Sequence, residues 1–210
     1  MFLSGRKGVL MIKNDMIREV ADRKYGVIKT SDLSALKIDY YGIRKLIENG
    51  TLEKIKNGYY SYTEQWTDRS EVALVSYLFP DGILCMYTAL FYYGYSDRTP
   101  LQWDIAINKD ASKSRFNLDY PYVQPYYLED SQLSFGIATA DFDDCKMKIF
   151  DRDRLICDCL KFESKMDREI FTKAIQAYVN DNAKNIQNLL TYAKQRRVFK
   201  KVKDIIGVWI

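Results

Sequence analysis

Apolar residues recur at helical spacing through the first quarter of the chain. In "MIKNDMIREVADRKYG", Ile12, Met16, Ile17, Val20 and Ala21 return every three or four positions, and Gly26 stands where a C-terminal cap belongs. "KTSDLSALKI" opens with Thr30, Ser31 and Asp32, all N-cap residue types, and offers Leu33 and Leu36 to a core. After a short loop Asp39 caps a third helix, and helices joined by a tight turn make a helix-turn-helix unit. At about 100° per residue, Ile43, Leu46 and Ile47 fall on one face of that helix, with Tyr40 beside them. Tyr41, Arg44 and Lys45 fall on the opposite face, and Gly50 ends the helix.

The period then changes from helical to two. "LEKIKNGYYSY" is two β-prone runs around Asn57-Gly58, a sequence signal for a type I′ hairpin turn. Strict alternation puts Lys54 and Lys56 on one face of the first strand and Ile55 on the other. Three helices followed by a hairpin make a winged helix. The second helix after the tight turn is where such a unit carries its reading helix, with residues near its N-terminal end entering the major groove. Tyr41, Arg44 and Lys45 are therefore candidates for base contacts. Lys54, Lys56 and Asn57 at the wing are candidates for phosphate contacts. A solvated basic helix, or a winged-helix protein-interaction module, is the competing reading of the same pattern.

Beyond residue 66 the pattern is mixed. Helices are expected at about 68–79 and 83–93. "LQWDIAINK", "YPYVQPYYLE", "LSFGIAT" and "KMKIF" have the short apolar and aromatic character of strands, and from Asp151 the pattern is helical to the end. There Leu155, Ile156, Cys159 and Leu160 share one face, and Ile170, Ala174, Ile175 and Tyr178 another. Strands grouped and then helices indicate an α+β domain. The reading is thus a winged helix-turn-helix domain over 1–66 and a mixed α+β domain over 67–210, divided at weak turn residues near Thr63–Asp68. Met11 begins a sensible helix, so the first ten residues read as a non-native or alternative start.

Composition removes several classes of chemistry. The chain has no histidine, which excludes Ser-His-Asp and Cys-His nucleophiles and any His-ligated zinc. Cys85, Cys145, Cys157 and Cys159 lack metal-ligand spacing and read as reduced, buried thiols. No glycine-rich phosphate loop is present, no apolar run approaches the roughly 20 residues that span a bilayer, and no signal peptide opens the chain. A cytoplasmic protein without cofactor, metal or membrane partner is expected.

Charge is unevenly placed. Residues 1–66 carry 12 basic and 8 acidic side chains, 67–191 carry 14 and 19, and 192–210 carry 6 and 1. Two basic ends flank an acidic middle, which suggests a localised anionic partner. Lys194, Arg196, Arg197, Lys200, Lys201 and Lys203 form a second candidate basic patch on a C-terminal helix, either a solvated face or a surface for DNA or RNA. A metal-dependent nuclease is the rival enzyme reading. It rests on the Asp144-Cys145-Lys146 triplet with Asp104 as an upstream ligand, a pattern common by chance in charged proteins, so no enzyme activity is expected. In "DRDRLICDC", Asp151 is a helix cap and Arg154 and Asp158 are an i, i+4 pair, either a local ion pair or part of a functional surface. The Tyr-rich runs 87–95 and 120–127 read as packing rather than a base-stacking platform.

The stretch "GVIKTSDLSALKIDYYGIRKLIENGTLEKIKNGYYSY" resembles the N-terminal domain of AbiEi antitoxins of bacterial type IV, abortive-infection toxin–antitoxin systems. "YLFPDGILCMYTALFYYGYSD" resembles that family's apolar helix, "KMKIFDRDRLICDCLKF" its strand-and-helix motif through Ile149, Asp151, Arg154, Ile156 and Asp158, and "NLLTYAKQRRVFKKVKDII" its closing basic segment. The chain departs at Leu155, where threonine is more usual. The resemblance implies an antitoxin and autoregulatory repressor that binds inverted repeats in its own promoter. Its C-terminal domain would counter an AbiEii-type nucleotidyltransferase toxin, without tight complex formation. A ligand-responsive winged-helix regulator, holding a small molecule among the tyrosines of its α+β domain, is the alternative. The sequence leaves the oligomeric state open.

Overall fold

In a computed structural model of the chain, residues 14–63, 71–142 and 145–207 are described. Ile12, the residues before Met11, most of the expected domain boundary and Asp144 lie outside them. The chain divides into two compact units, one of residues up to Phe79 with 117–120, the other of the remainder.

The first unit runs α1 (14–22), β1 (Val27–Lys29), α2 (Thr30–Ala35), α3 (Tyr40–Glu48), β2 (Leu52–Lys56), β3 (Tyr59–Tyr62) and α4 (Glu71–Leu78). This is the element order of a winged helix. Three antiparallel strands are ordered β1-β3-β2. Ile17 and Ala21 of α1, Leu33 of α2, Ile43 and Leu46 of α3, and Ile28, Leu52, Tyr60 and Tyr62 of the sheet form one buried core. Strand β1 is not foreseen by the periodicity, because Val27-Ile28-Lys29 is too short to show alternation. Backbone turns through positive φ at Tyr25 and Gly26 deliver the chain into it. Lys29, rather than Thr30 or Ser31, is the N-cap of α2, and its amide donates to Asp32 Oδ2 at 3.0 Å.

The second unit is a mixed five-stranded sheet with helices, as the α+β reading expects. Its strands are β4 (Ile83–Leu84), β5 (Trp103–Asn108), β6 (Val123–Leu128), β7 (Ile137–Phe142) and β8 (Cys145–Phe150), in the order β6-β5-β4-β8-β7. Its helices are α5 (Met86–Tyr92), α6 (Asp130–Leu133), α7 (Arg152–Phe162), α8 (Arg168–Asn180), α9 (Ile186–Arg196) and α10 (Phe199–Lys201), the last continued by a π turn to Ile206. The helix expected from residue 83 starts only at Met86. Ile83 and Leu84 instead pair antiparallel with β5 and parallel with β8, at the centre of the sheet. A two-residue apolar strand followed at once by an apolar helix has no periodicity that separates them, and the break is at Met86, with φ 40°.

Helix α7 is the pillar of this unit. Residues Asp153–Leu160 are all buried, so the face expected from Leu155, Ile156, Cys159 and Leu160 is only part of a helix enclosed all round over those eight residues, with Lys161 exposed beyond them. Asp151 caps it, accepting from the Arg154 amide at 2.8 Å. Ala174, Ile175 and Tyr178 form the buried face of α8, with Ile170 half-buried at its edge. Tyr178 Oη donates to the buried Asp153 carboxylate at 2.7 Å, and Asn185 N donates to it at 2.9 Å. All four cysteines are free; Cys85, Cys157 and Cys159 are buried, Cys145 only half-buried. Burial pushes the three buried thiols up, which keeps them protonated and unreactive.

Candidate nucleic-acid interface

The third helix is positioned by three local devices. Asp39 caps it, accepting from the Gly42 amide at 2.8 Å. Lys37, at φ 56°, turns the chain between α2 and α3. Gly42 allows close approach, since a Cβ there would stand 2.9 Å from Ile38 Cγ2. Ile43 and Leu46 then face the core, which fixes what faces outward. Tyr41 is 65% exposed, and Arg44 and Lys45 are exposed beside it.

These side chains are held in local pairs. Lys45 Nζ lies 4.6 Å from the centre of the Tyr41 ring, and Arg44 Nε donates to Glu48 Oε1 at 2.9 Å. Both members of the Arg44–Glu48 pair are well exposed, so the pair is weak and its arginine is readily released to an anion. Tyr40 is 81% exposed and Ile47 is at the surface, a correction to the expectation that both lie on the core face. The buried stripe of α3 is only Ile43 and Leu46 wide, and Tyr40, at the first helical position, lies outside it.

The wing departs from the expected hairpin in two respects. Its pairing slips between Lys54, opposite Tyr60, and Lys56, opposite Tyr59. This bulge breaks the alternation: Leu52 and Ile55 are buried, Glu53 and Lys54 exposed, and Lys56 half-buried. The turn is also not type I′. Gly58 has φ 78°, but Asn57 is not at positive φ, which type I′ requires at both central residues. Lys54 and Asn57 remain exposed. Lys56 Nζ lies 4.5 Å from the Tyr59 ring centre, and Lys29 Nζ lies 5.3 Å from the same ring. Lys29 therefore joins the wing cations at the Tyr59 ring, which the sequence reading missed because Lys29 is remote from the hairpin in the chain.

The second candidate patch does not hold together as expected. Helix α9 ends at Arg196, and Arg197 takes the left-handed C-cap conformation with φ 59°, so the six cations do not lie on one helix. Arg196 is 2% exposed and bonds through Nε to Asp158, and through Nη1 to Gln132 Oε1 at 2.7 Å. It belongs to the interior, because a carboxylate buried in α7 needs a counter-charge. Lys201 donates to the Leu160 carbonyl and to Glu163, both at 2.8 Å. Lys194 and Lys203 lie 5.5 and 4.9 Å from the Phe199 ring centre, and with Arg197 and Lys200 they remain exposed cations.

Arg154 and Asp158 form no surface either. Arg154 is fully buried between the rings of Phe135 and Phe150, at 4.2 and 4.3 Å, and donates to Asp158 at 3.1 Å. Asp104 of the rival nuclease reading is buried on β5 and accepts the Tyr87 amide, while Asp144 lies outside the described residues. Among the described residues no group of three His, Cys, Asp or Glu is placed to hold a metal ion. No helix among them is long and apolar enough to cross a membrane.

The arrangement thus offers exposed cationic and aromatic groups on a helix and a hairpin of one small unit, chemistry suited to phosphates and base edges. No curated protein matches the chain. Residues 15–63, from α1 through the wing, match the family model described as transcriptional regulator, AbiEi antitoxin. Over those residues the first unit is similar to the AbiEi antitoxin family of transcriptional regulators.

Proposed function

We propose that the protein is the antitoxin and autoregulatory repressor of a type IV toxin–antitoxin operon. It binds inverted repeats in its own promoter with Tyr41, Arg44 and Lys45 of α3 toward bases. Lys54, Lys56 and Asn57 of the wing lie along phosphates, joined by Lys29. The observation that carries this reading is the coincidence of the family match over 15–63 with an outward cationic face on α3. The second unit counters a nucleotidyltransferase toxin of the AbiEii type by acting against its effect rather than by tight binding. The exposed Lys194, Arg197, Lys200 and Lys203 add phosphate contacts beyond the winged helix.

A reporter driven by the DNA upstream of the operon tests the first half. Wild-type protein represses it, and Arg44→Ala relieves repression at equal protein level. Co-expression with the adjacent toxin tests the second half, through recovery of growth. Repression that survives Arg44→Ala together with Lys45→Ala would remove α3 as the reading element.

A further inference from the structure

Helix α3 carries an aromatic ring that the fold leaves unused. Tyr40 is the first residue of the helix, and it is more exposed than its neighbour Tyr41. Among the described residues its side chain makes no hydrogen bond, ion pair or ring contact, whereas the Tyr41 ring is occupied by Lys45 Nζ. An aromatic ring left in water at this degree of exposure adds nothing to the core of the unit, which Ile43 and Leu46 supply from the same helix.

The position of the ring is nevertheless fixed. Asp39 caps the first turn through the Gly42 amide, and the buried Ile43 and Leu46 seat the helix on the sheet and its neighbours. Tyr40 and Arg44 stand four positions apart and are therefore neighbours on the helix surface. The ring thus lies at the N-terminal end of the cationic face, the end whose residues meet base edges when a reading helix enters the major groove. Arg44 and Lys45 answer phosphates and polar edges there. The groove also displays one apolar group, the 5-methyl of thymine, and a cation gains nothing from it. An exposed ring does, by taking the methyl out of water.

We propose that Tyr40 is a specificity-determining residue of α3 that reads the 5-methyl group of a thymine, packing its ring on the methyl while Arg44 and Lys45 engage the polar groups around it. The inference rests on the DNA-binding reading of α3 and adds the base that its first turn selects. The ring does the reading, and the hydroxyl is dispensable.

The test is a fluorescence-anisotropy titration of the full chain on the duplex just upstream of the operon, made once with thymine and once with uracil throughout. Uracil removes the methyl groups and keeps every hydrogen-bonding edge. Wild type is expected to bind the thymine duplex about fourfold more tightly for one buried methyl. Tyr40→Ala loses this discrimination, and Tyr40→Phe keeps it. Tyr40 lies outside the buried stripe, so neither change touches the core. Equal binding of wild type to the two duplexes would overturn the proposal while leaving α3 as a DNA reader. Discrimination that survives Tyr40→Ala would give the methyl to another side chain, and discrimination lost in Tyr40→Phe would make Tyr40 a hydroxyl contact; either overturns it. If wild type does not prefer this DNA to a scrambled duplex, the DNA-binding reading itself fails and the inference falls with it.

Discussion

Arg196 reaches from α9 to Asp158 of α7, and both are buried. Arg154 binds the other oxygen of the same carboxylate, so one aspartate serves two enclosed guanidiniums. Removing one partner strands the charge of the others. Arg196→Ala or Asp158→Ala is expected to cost about 3–5 kcal/mol of stability, against less than about 0.5 kcal/mol for the exposed neighbour Lys200→Ala. Urea denaturation of the three variants checks this. Equal midpoints for Arg196→Ala and Lys200→Ala would return Arg196 to the surface.

The lesson for reading the sequence lies in that contrast. Helical spacing found α3, the cap at Asp39 and the buried face of α8, because each is a local pattern. It could not separate Arg196 from Arg197, since adjacent cations in a basic run look alike until a partner elsewhere in the chain claims one. Asp158 stands 38 positions away. The two-residue strand β4 failed for the same reason, being defined by its neighbours β5 and β8 and not by its own residues. On the candidate interface, Tyr41, Arg44 and Lys45 were legible from α3 alone. The pairing of Lys29 with Tyr59 required the sheet.

Gly136 shows a second packing constraint. It has φ 65°, and a Cβ there would stand 2.5 Å from Arg154 Cβ. Gly136→Ala combines left-handed strain with displacement of a buried arginine. A loss of roughly 2–4 kcal/mol is expected, seen as a lowered denaturation midpoint. A variant as stable as wild type would mean that β7 can move away from Arg154 freely.

Stability should fall as pH rises from 5 to 8. Burial raises the Asp104 carboxyl from 3.8 to about 7, against the amides of Tyr87 and Thr88 and the Gln102 side chain. A carboxyl raised in the folded state contributes fully below its unfolded pKa, and that contribution is lost as pH climbs through the folded value. Asp153 is also raised by burial and acts in the same direction. Asp32 and Asp181 are lowered in spite of burial, held down by Lys24 and by Tyr95 respectively, and their contributions are lost only on acidification. Asp104→Asn should flatten the decline between pH 5 and 8 in thermal melts. An unchanged slope would show that Asp104 does not titrate in this window.

Glu48 holds Arg44 in the free protein. Glu48→Gln should raise affinity for DNA of any sequence by a small factor, on the scale of the roughly 0.3–0.5 kcal/mol of an exposed helical pair. The effect should shrink as salt rises. A loss of sequence preference instead would make Glu48 a reader of bases in its own right.

The most direct test of DNA reading is a gel-shift titration on the DNA just upstream of the operon, at two salt concentrations, with wild type, Arg44→Ala and Lys56→Ala. Wild type is predicted to bind specifically and more weakly at the higher salt. Arg44→Ala should lose about 1–3 kcal/mol on the specific site alone. Lys56→Ala should weaken all sequences about equally and flatten the salt dependence. Salt-independent behaviour, or no preference for that DNA over a scrambled duplex, would contradict the account and leave the first unit as a protein-interaction module.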